Sequence, residues 1–202
     1  MKTRELYNII DAFCPKTLSC SWDNDGIMVS PSLDAEVKRV LLSLDATYEA
    51  VSYAADYGYD TLITHHPMLF RGAKSVSETN LSGRRIIRAL SSGVTVMSFH
   101  TRLDACEGGV NDELMNRLGF TPTGAFGDEE SPTLARIADI PPMTARELAC
   151  LVRDKLGCTA VRLNGKADAV VRKIGVCGGD GKDFIYPALS AGCDAFITGD
   201  AG

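Results

Sequence analysis

The chain holds three histidines, His65, His66 and His100, and each follows a short apolar-leaning run that reads as a β-strand. Thr61-Leu62-Ile63-Thr64 leads into His65-His66, and residues 94–99 (VTVMSF) lead into His100. The carboxyl ends of strands form the rim where open α/β sheets place ligands. Four residues beyond His100 comes Asp104, so the second segment offers an imidazole and a carboxylate together. Those ligand types suit zinc, iron, manganese or nickel, and the chemistry they support is metal-assisted hydrolysis. Pro67 biases His66 towards extended backbone, and neighbouring side chains of an extended chain point opposite ways. On that reading the two adjacent histidines each hold one of two nearby ions. The competing readings are plain: a histidine at a strand end is often a hydrogen-bonded structural residue. Asp104 could also cap the next helix, for which Asn111 and Asp112 stand nearer.

Three further stretches bear on chemistry. Residues 21–26 (SWDNDG) combine the only tryptophan with turn-forming residues, and read equally well as a structural turn or a site lining. Residues 175–181 (GVCGGDG) follow a strand and open a helix, where backbone amides could cradle an anion; they lack the lysine of a phosphate loop and read best as a glycine turn. Between Pro67 and Arg102 six basic residues (Arg71, Lys74, Arg84, Arg85, Arg88, Arg102) face one acid, Glu78. Lying between the two histidine segments, they would draw an anionic substrate such as a nucleotide; a solvated helix face is the alternative.

Around these residues the composition is that of an ordinary globular protein, 45% hydrophobic and 23% charged over 202 residues. A net charge of −5 argues against general nucleic-acid binding. No apolar run approaches the ~20 residues needed to span a bilayer, and the polar start, Met1-Lys2-Thr3-Arg4-Glu5, is unlike a signal peptide, so the expected location is the cytoplasm. The seven scattered cysteines show no C-x-x-C spacing and read as reduced thiols.

Strands and helices alternate along the chain, which predicts an α/β fold with mostly parallel sheets flanked by helices. Strands are expected at 38–45, 61–64, 94–99, 134–140, 159–163, 171–176 and 195–198, with helices between them. The polar stretch at 121–131 suggests two subdomains, 1–125 carrying the metal motifs and 126–202. A displacement of 134 residues lays Val37 on Val171 and pairs Gly58 with Gly192, Asp60 with Asp194, Ile63 with Ile197 and Thr64 with Thr198. This is a βαβ duplication that copies the scaffold and not the chemistry, since His65-His66 faces Gly199-Asp200.

Taken together, Ile63-Thr-His-His-Pro-Met-Leu-Phe70, His100-Thr-Arg-Leu-Asp-Ala105 and Gly108-Gly-Val-Asn-Asp112 resemble the dinuclear metal-centre family related to the NGG-interacting factor. Its bacterial members carry the label GTP cyclohydrolase I type 2 homologue. Trp22-Asp-Asn-Asp-Gly26, Cys177-Gly-Gly-Asp-Gly181 and Gly192-Cys-Asp-Ala-Phe-Ile-Thr-Gly199 extend the resemblance over essentially the whole chain. It implies a two-subdomain α/β fold, a homohexameric ring and two bridged divalent ions. It also implies ligand roles for His65, His66 and Asp104, a catalytic role beside the metals for His100, and a purine nucleotide as substrate. Lys74, Arg84 and Arg85 are then candidate phosphate contacts. The family's remaining ligands are a histidine and a glutamate four residues apart near the C-terminus. They have no counterpart here, so the sequence is expected to be part of a longer protein. The alternative function is a non-catalytic hexameric scaffold that holds metal.

Overall fold

The computed structural model describes residues 1–201, which divide into two compact units, Met1–Leu103 and Asp104 onward. The first unit runs α1 (Thr3–Phe13), β1 (Gly26–Val29), β2 (Val40–Ser43), α2 (Tyr48–Asp56), β3 (Thr61–Thr64), α3 (Leu81–Ser91) and β4 (Thr95–Ser98). Its sheet has the order β1-β4-β3-β2, parallel from β2 through β4, with β1 antiparallel at the edge. Thr47 starts α2 by accepting the Ala50 amide, and Asn80 starts α3 by accepting the Gly83 amide. Gly83, Ile86 and Ala89 recur every three residues along α3 and are its buried face. Ile86 and Ala89 join Val51 and Ala54 of α2 and Leu62 and Val96 of the sheet in one core cluster. Each large apolar side chain buried there contributes roughly 1.5–3 kcal/mol. Gly83 is required by space: a Cβ on it would lie 2.2 Å from the Ser77 carbonyl oxygen.

A short helix, α4 (Thr101–Ala105), follows β4 and carries the chain across the unit boundary. The second unit continues with α5 (Val110–Leu118), β5 (Gly124–Phe126), β6 (Ala135–Thr144), α6 (Ala145–Leu156), β7 (Val170–Asp180), α7 (Ile185–Ser190) and β8 (Ala195–Asp200). Its sheet has the order β5-β6-β7-β8, with only β7 and β8 parallel. A capping box of Thr144 and Glu147 opens α6, and Gly157 in the left-handed region closes it. Met115 and Leu118 of α5, Leu148 and Val152 of α6, and Ala138, Val171, Ile174 and Val176 of the sheet form the second core.

The α/β class and the two sheets flanked by helices match the sequence reading, and the duplicated unit is β2–α2–β3 repeated as β7–α7–β8. The second sheet is more antiparallel than alternation implied. Residues 159–163 form no strand. β7 already has β6 on one side and β8 on the other, so the segment becomes an exposed connection, with Val161 and Leu163 facing outward. Strands β1 and β5 were not anticipated. Residues 175–181 are not a turn: β7 runs through to Asp180, with a register shift between Cys177 and Asp180. Two of the amides there are already used, that of Gly178 by the Asn111 side chain and that of Gly181 by Thr198. The polar stretch at 121–131 lies inside the second unit, where it supplies β5.

Candidate metal centre

The site is set by two parallel strands that end level. β3 and β4 pair with Thr64 opposite Ser98, and the two hydroxyls share a hydrogen bond of 2.9 Å. The Phe99 amide donates to the Thr64 carbonyl at 2.9 Å, continuing the ladder one step past the strands. His65-His66 and His100 therefore leave adjacent strand ends. At His65 the chain bends, and the Thr64 hydroxyl donates to the His66 carbonyl at 2.9 Å, clamping the bend. The extended alternation expected of the histidine pair is thus broken. Ring centroids of His65 and His66 lie 5.1 Å apart, and those of His100 lie 5.1 Å from His65 and 5.7 Å from His66. One ligating atom from each of the three lies within 4.8 Å of the others.

Each imidazole is oriented through Nδ1. His65 Nδ1 is 3.1 Å from the Phe99 carbonyl, His66 Nδ1 is 2.8 Å from Asp45 Oδ1, and His100 Nδ1 is 3.0 Å from Asp23 Oδ1. A carbonyl and carboxylate oxygens accept, so in each neutral ring Nδ1 carries the proton and the lone pair is on Nε2. This is how proteins fix the tautomer of metal-binding histidines. Burial, aided by the charges of His100 and His66, pushes the His65 pKa down to about 4. Burial pushes the Asp23 carboxyl up, but hydrogen bonds from His100 and from the Thr101 hydroxyl and amide outweigh it and bring the pKa to about 2. His65 is therefore neutral and Asp23 ionised near pH 7, which is the state a cation requires.

Residues 22–25 form the wall beside His100. Asp23 accepts the Thr101 amide at 3.1 Å and its hydroxyl at 2.6 Å, besides the His100 ring. The Asn24 side-chain amide donates to the Leu69 carbonyl, tying this turn to the segment after the histidine pair. Asp25, its side chain fully buried, binds Lys16 Nζ at 2.6 Å and lies 3.4 Å from Arg102 Nε. Arg102 is itself buried, bonded to Asp11 at 2.6 Å and stacked over the Phe99 ring at 4.5 Å. The Trp22 ring lies 6.3 Å from His100 and 6.0 Å from Phe70.

Of the residues singled out in the sequence, the structure gathers His65, His66 and His100. Asp104 falls on α4 in the second unit, and the imidazole cluster is defined without it. Arg84 stacks over the Tyr48 ring at 4.6 Å, and Arg85 donates to the Ala46 carbonyl at 3.0 Å, bracing the turn that follows Asp45. Lys74 is exposed in the connection before α3. Trp22 and Asp23 take the site-lining alternative read for residues 21–26, whereas Asp45 and the place of Phe70 were missed. Asp45 ends the predicted strand 38–45, so the strand-end rule applied to carboxylates as well as histidines would have found it.

An α/β fold with an imidazole cluster at the ends of parallel strands defines a candidate metalloprotein. The chain belongs to the Duf34/NIF3 (NGG1p interacting factor 3) family, whose model matches residues 1–202. A Clostridium perfringens protein named GTP cyclohydrolase 1 type 2 homolog is 34% identical over 206 residues, covering 99% of this chain and 78% of its own length. A Streptomyces coelicolor protein of the same name is 33% identical, covering 97% of this chain and 71% of its own length. Among solved structures, a Staphylococcus aureus hypothetical protein superposes with a TM-score of 0.89 at 27% identity, over 99% of this chain and 79% of its own. The protein ybgI, described as of unknown function, superposes at 0.85 with 26% identity, over 100% of this chain and 79% of its own.

Proposed function

We propose that this chain is a divalent-metal-dependent hydrolase acting on a purine nucleotide, with His65, His66 and His100 as the imidazole share of its metal site. The observation that carries the reading is the common orientation: three rings, each with Nδ1 bound to an acceptor and with its ligating atom within 4.8 Å of the other two. A buried structural histidine needs one partner, not a shared focus with two others. Asp104 is proposed as a carboxylate ligand on the strength of its motif, and two ions as the number held. A divalent ion there would supply Lewis-acid activation of water for hydrolysis. The chain's own part is orientation: Asp23, Asp45 and the Phe99 carbonyl hold the rings, and the Thr64–Ser98 bond holds the strand ends. The nucleotide follows from the relatives' names, with Lys74 and the α3 arginines as proposed phosphate contacts.

A second role for His100 is favoured by its bond to Asp23. A carboxylate-bound imidazole is also the arrangement of a general base, so His100 could move a proton during the reaction. Self-association as a homohexamer belongs to the same proposal, supported by exposed Leu42 and Leu44 at and beside the β2 edge.

The test is elemental analysis of purified protein together with GTP turnover followed by absorbance. Metal bound by the parent, lost in His65→Ala and His66→Ala, with turnover lost alongside, supports the reading. Metal retained by those variants overturns the site. A metal-replete parent that forms hexamers but turns over no GTP replaces the hydrolase with a scaffold. His100→Ala separates its two roles, since a proton relay keeps the metal and loses turnover.

A further inference from the structure

Trp22 and Phe70 are 55% and 47% exposed, while Cys20 and Met68, two residues before each, are almost fully buried. The core at these two segments is thus filled by their neighbours, and the fold leaves both aromatic rings outside it. Both rings nevertheless stand at the imidazole cluster: Trp22 is 6.3 Å from His100 at 74°, Phe70 is 6.5 Å from it at 89°, and they meet each other at 6.0 Å and 58°. The turn that carries Trp22 is pinned on both sides, by Asp23 to His100 and Thr101 and by Asn24 to the Leu69 carbonyl. The Asn24 bond spans the two segments directly, two residues from Trp22 and one from Phe70. Two apolar faces are therefore held open to solvent, in fixed orientation, beside a polar cluster.

We infer that Trp22 and Phe70 form an aromatic corner that binds a planar heteroaromatic ring, such as a nucleobase, against the histidine cluster. A tilt of 58° with centroids 6.0 Å apart leaves no slot between the rings. A ligand ring instead stacks on one face and meets the other edge to face, the two preferred aromatic geometries. Small-molecule sites combine such an apolar wall with a few fixed polar groups, and the imidazoles are those groups here. The inference rests on the proposed hydrolase in placing the substrate's ring, not its phosphate, at the cluster. It makes Trp22 and Phe70 specificity-determining residues.

Because Trp22 is the only tryptophan, its emission reports on the corner alone. Metal-loaded protein is titrated with guanosine, adenosine and ribose 5-phosphate. Both nucleosides are expected to quench Trp22 saturably, and ribose 5-phosphate is expected to have no effect. By equilibrium dialysis, Trp22→Ala and Phe70→Ala should each weaken guanosine binding about tenfold, the order of one base–aromatic stack, and Trp22→Phe should restore most of it. Unchanged melting temperatures confirm that these half-exposed positions leave the fold intact. No saturable nucleoside binding by the parent, or parent-like affinity in the double alanine variant, overturns the inference. So does a double variant that loses self-association while keeping guanosine, which would mark a contact between copies. The two readings fail separately: guanosine binding without any turnover leaves the corner and removes the hydrolase, whereas GTP turnover with parent-like guanosine affinity in the double alanine variant removes the corner and leaves the hydrolase.

Discussion

The units β2–α2–β3 and β7–α7–β8 can be laid over one another hydrogen bond by hydrogen bond. Asp60 accepts the amides of Lys38 and Arg39, both at 2.8 Å, and Asp194 accepts those of Arg172 and Lys173 at 2.8 and 3.0 Å. Gly58 and Gly192 take φ values of +68° and +78° at the same point of the turn. Tyr59 returns an amide to Ala54 and Cys193 to Ala188. The parallel registers correspond too, Val40 opposite Thr61 and Ile174 opposite Ala195. The hydroxyl contact is shared as well: Thr64 donates to the His66 carbonyl at 2.9 Å, and Thr198 donates to the Asp200 carbonyl at 3.2 Å, although β8 stays extended through Asp200 where the first copy bends. The copies differ in their neighbours. In the first sheet the pair is extended past β3 by β4, a parallel strand that ends beside it at Ser98. In the second it is extended past β7 by antiparallel β6, and among the described residues β8 has β7 alone beside it. The histidine cluster is thus made by what lies next to the repeat. A strand end supplies a rim; two parallel ends side by side supply a focus.

The strongest test of that conclusion exchanges the residues between copies. His65→Ala with His66→Ala should abolish retention of divalent metal, a loss beyond the roughly 10–100-fold typical of removing an outer partner. The converse graft, Gly199→His with Asp200→His, should bring no new ion, because β8 lacks a parallel neighbour ending in an imidazole. Elemental analysis after gel filtration reads both. A graft that captures metal stoichiometrically would break the argument from neighbouring strands.

Next in size are the carboxylates behind the rings, Asp23 and Asp45. Asp23→Asn and Asp45→Asn should each lower metal affinity roughly 10–100-fold, by freeing the tautomer and rotation of His100 and His66. The larger effect is expected at Asp23, whose side chain is buried and also holds Thr101, while Asp45 is half exposed. Isothermal titration with zinc measures the difference, and equal small effects would show that neither carboxylate fixes its ring for metal.

The threonines compare the copies directly. Thr64→Val removes the hydroxyl that joins β3 to β4 and clamps the histidine bend, whereas Thr198→Val removes only local bonds of the second copy. Each should cost about 1 kcal/mol of stability, the usual net value of a hydrogen bond. Only Thr64→Val should also weaken metal binding, by roughly tenfold, as loss of an outer-shell support does. The same metal affinity in both variants would show that the strand ends need no such clamp.

What the sequence showed of all this follows from range. The alternation of elements and the duplication were legible because both are local patterns, repeated apolar runs and glycines at fixed offsets such as Gly58 and Gly192. The histidines were legible because their type is rare here and their places were strand ends. Asp23 was hidden for the opposite reason: it meets His100 across a separation that no periodicity spans. The bend at His65 was hidden because it is clamped by the Thr64 hydroxyl on the His66 carbonyl, while Pro67 alone argued for extension. The fate of 159–163 was set by both sides of β7 being filled, which is a property of the sheet and not of that segment.

The smallest expected effect lies in the acids that staple each copy. Asp60→Ala should destabilise the first unit by about 1–2 kcal/mol in urea unfolding, since a charged acceptor holds two amides there. The more exposed Asp194 should matter less. Its carboxyl is nonetheless held below the ordinary value by the amides of Arg172 and Lys173. A carboxyl with a lowered folded pKa stabilises above its unfolded value, and that contribution disappears as the pH falls through the folded one. Asp194→Asn should therefore be less stable than the parent at neutral pH and converge with it once the pH drops below the ordinary carboxylate range. A gap that stays constant into strong acid would mean that the staple acts by shape and not by charge. The equivalence of the two copies would then hold for geometry alone.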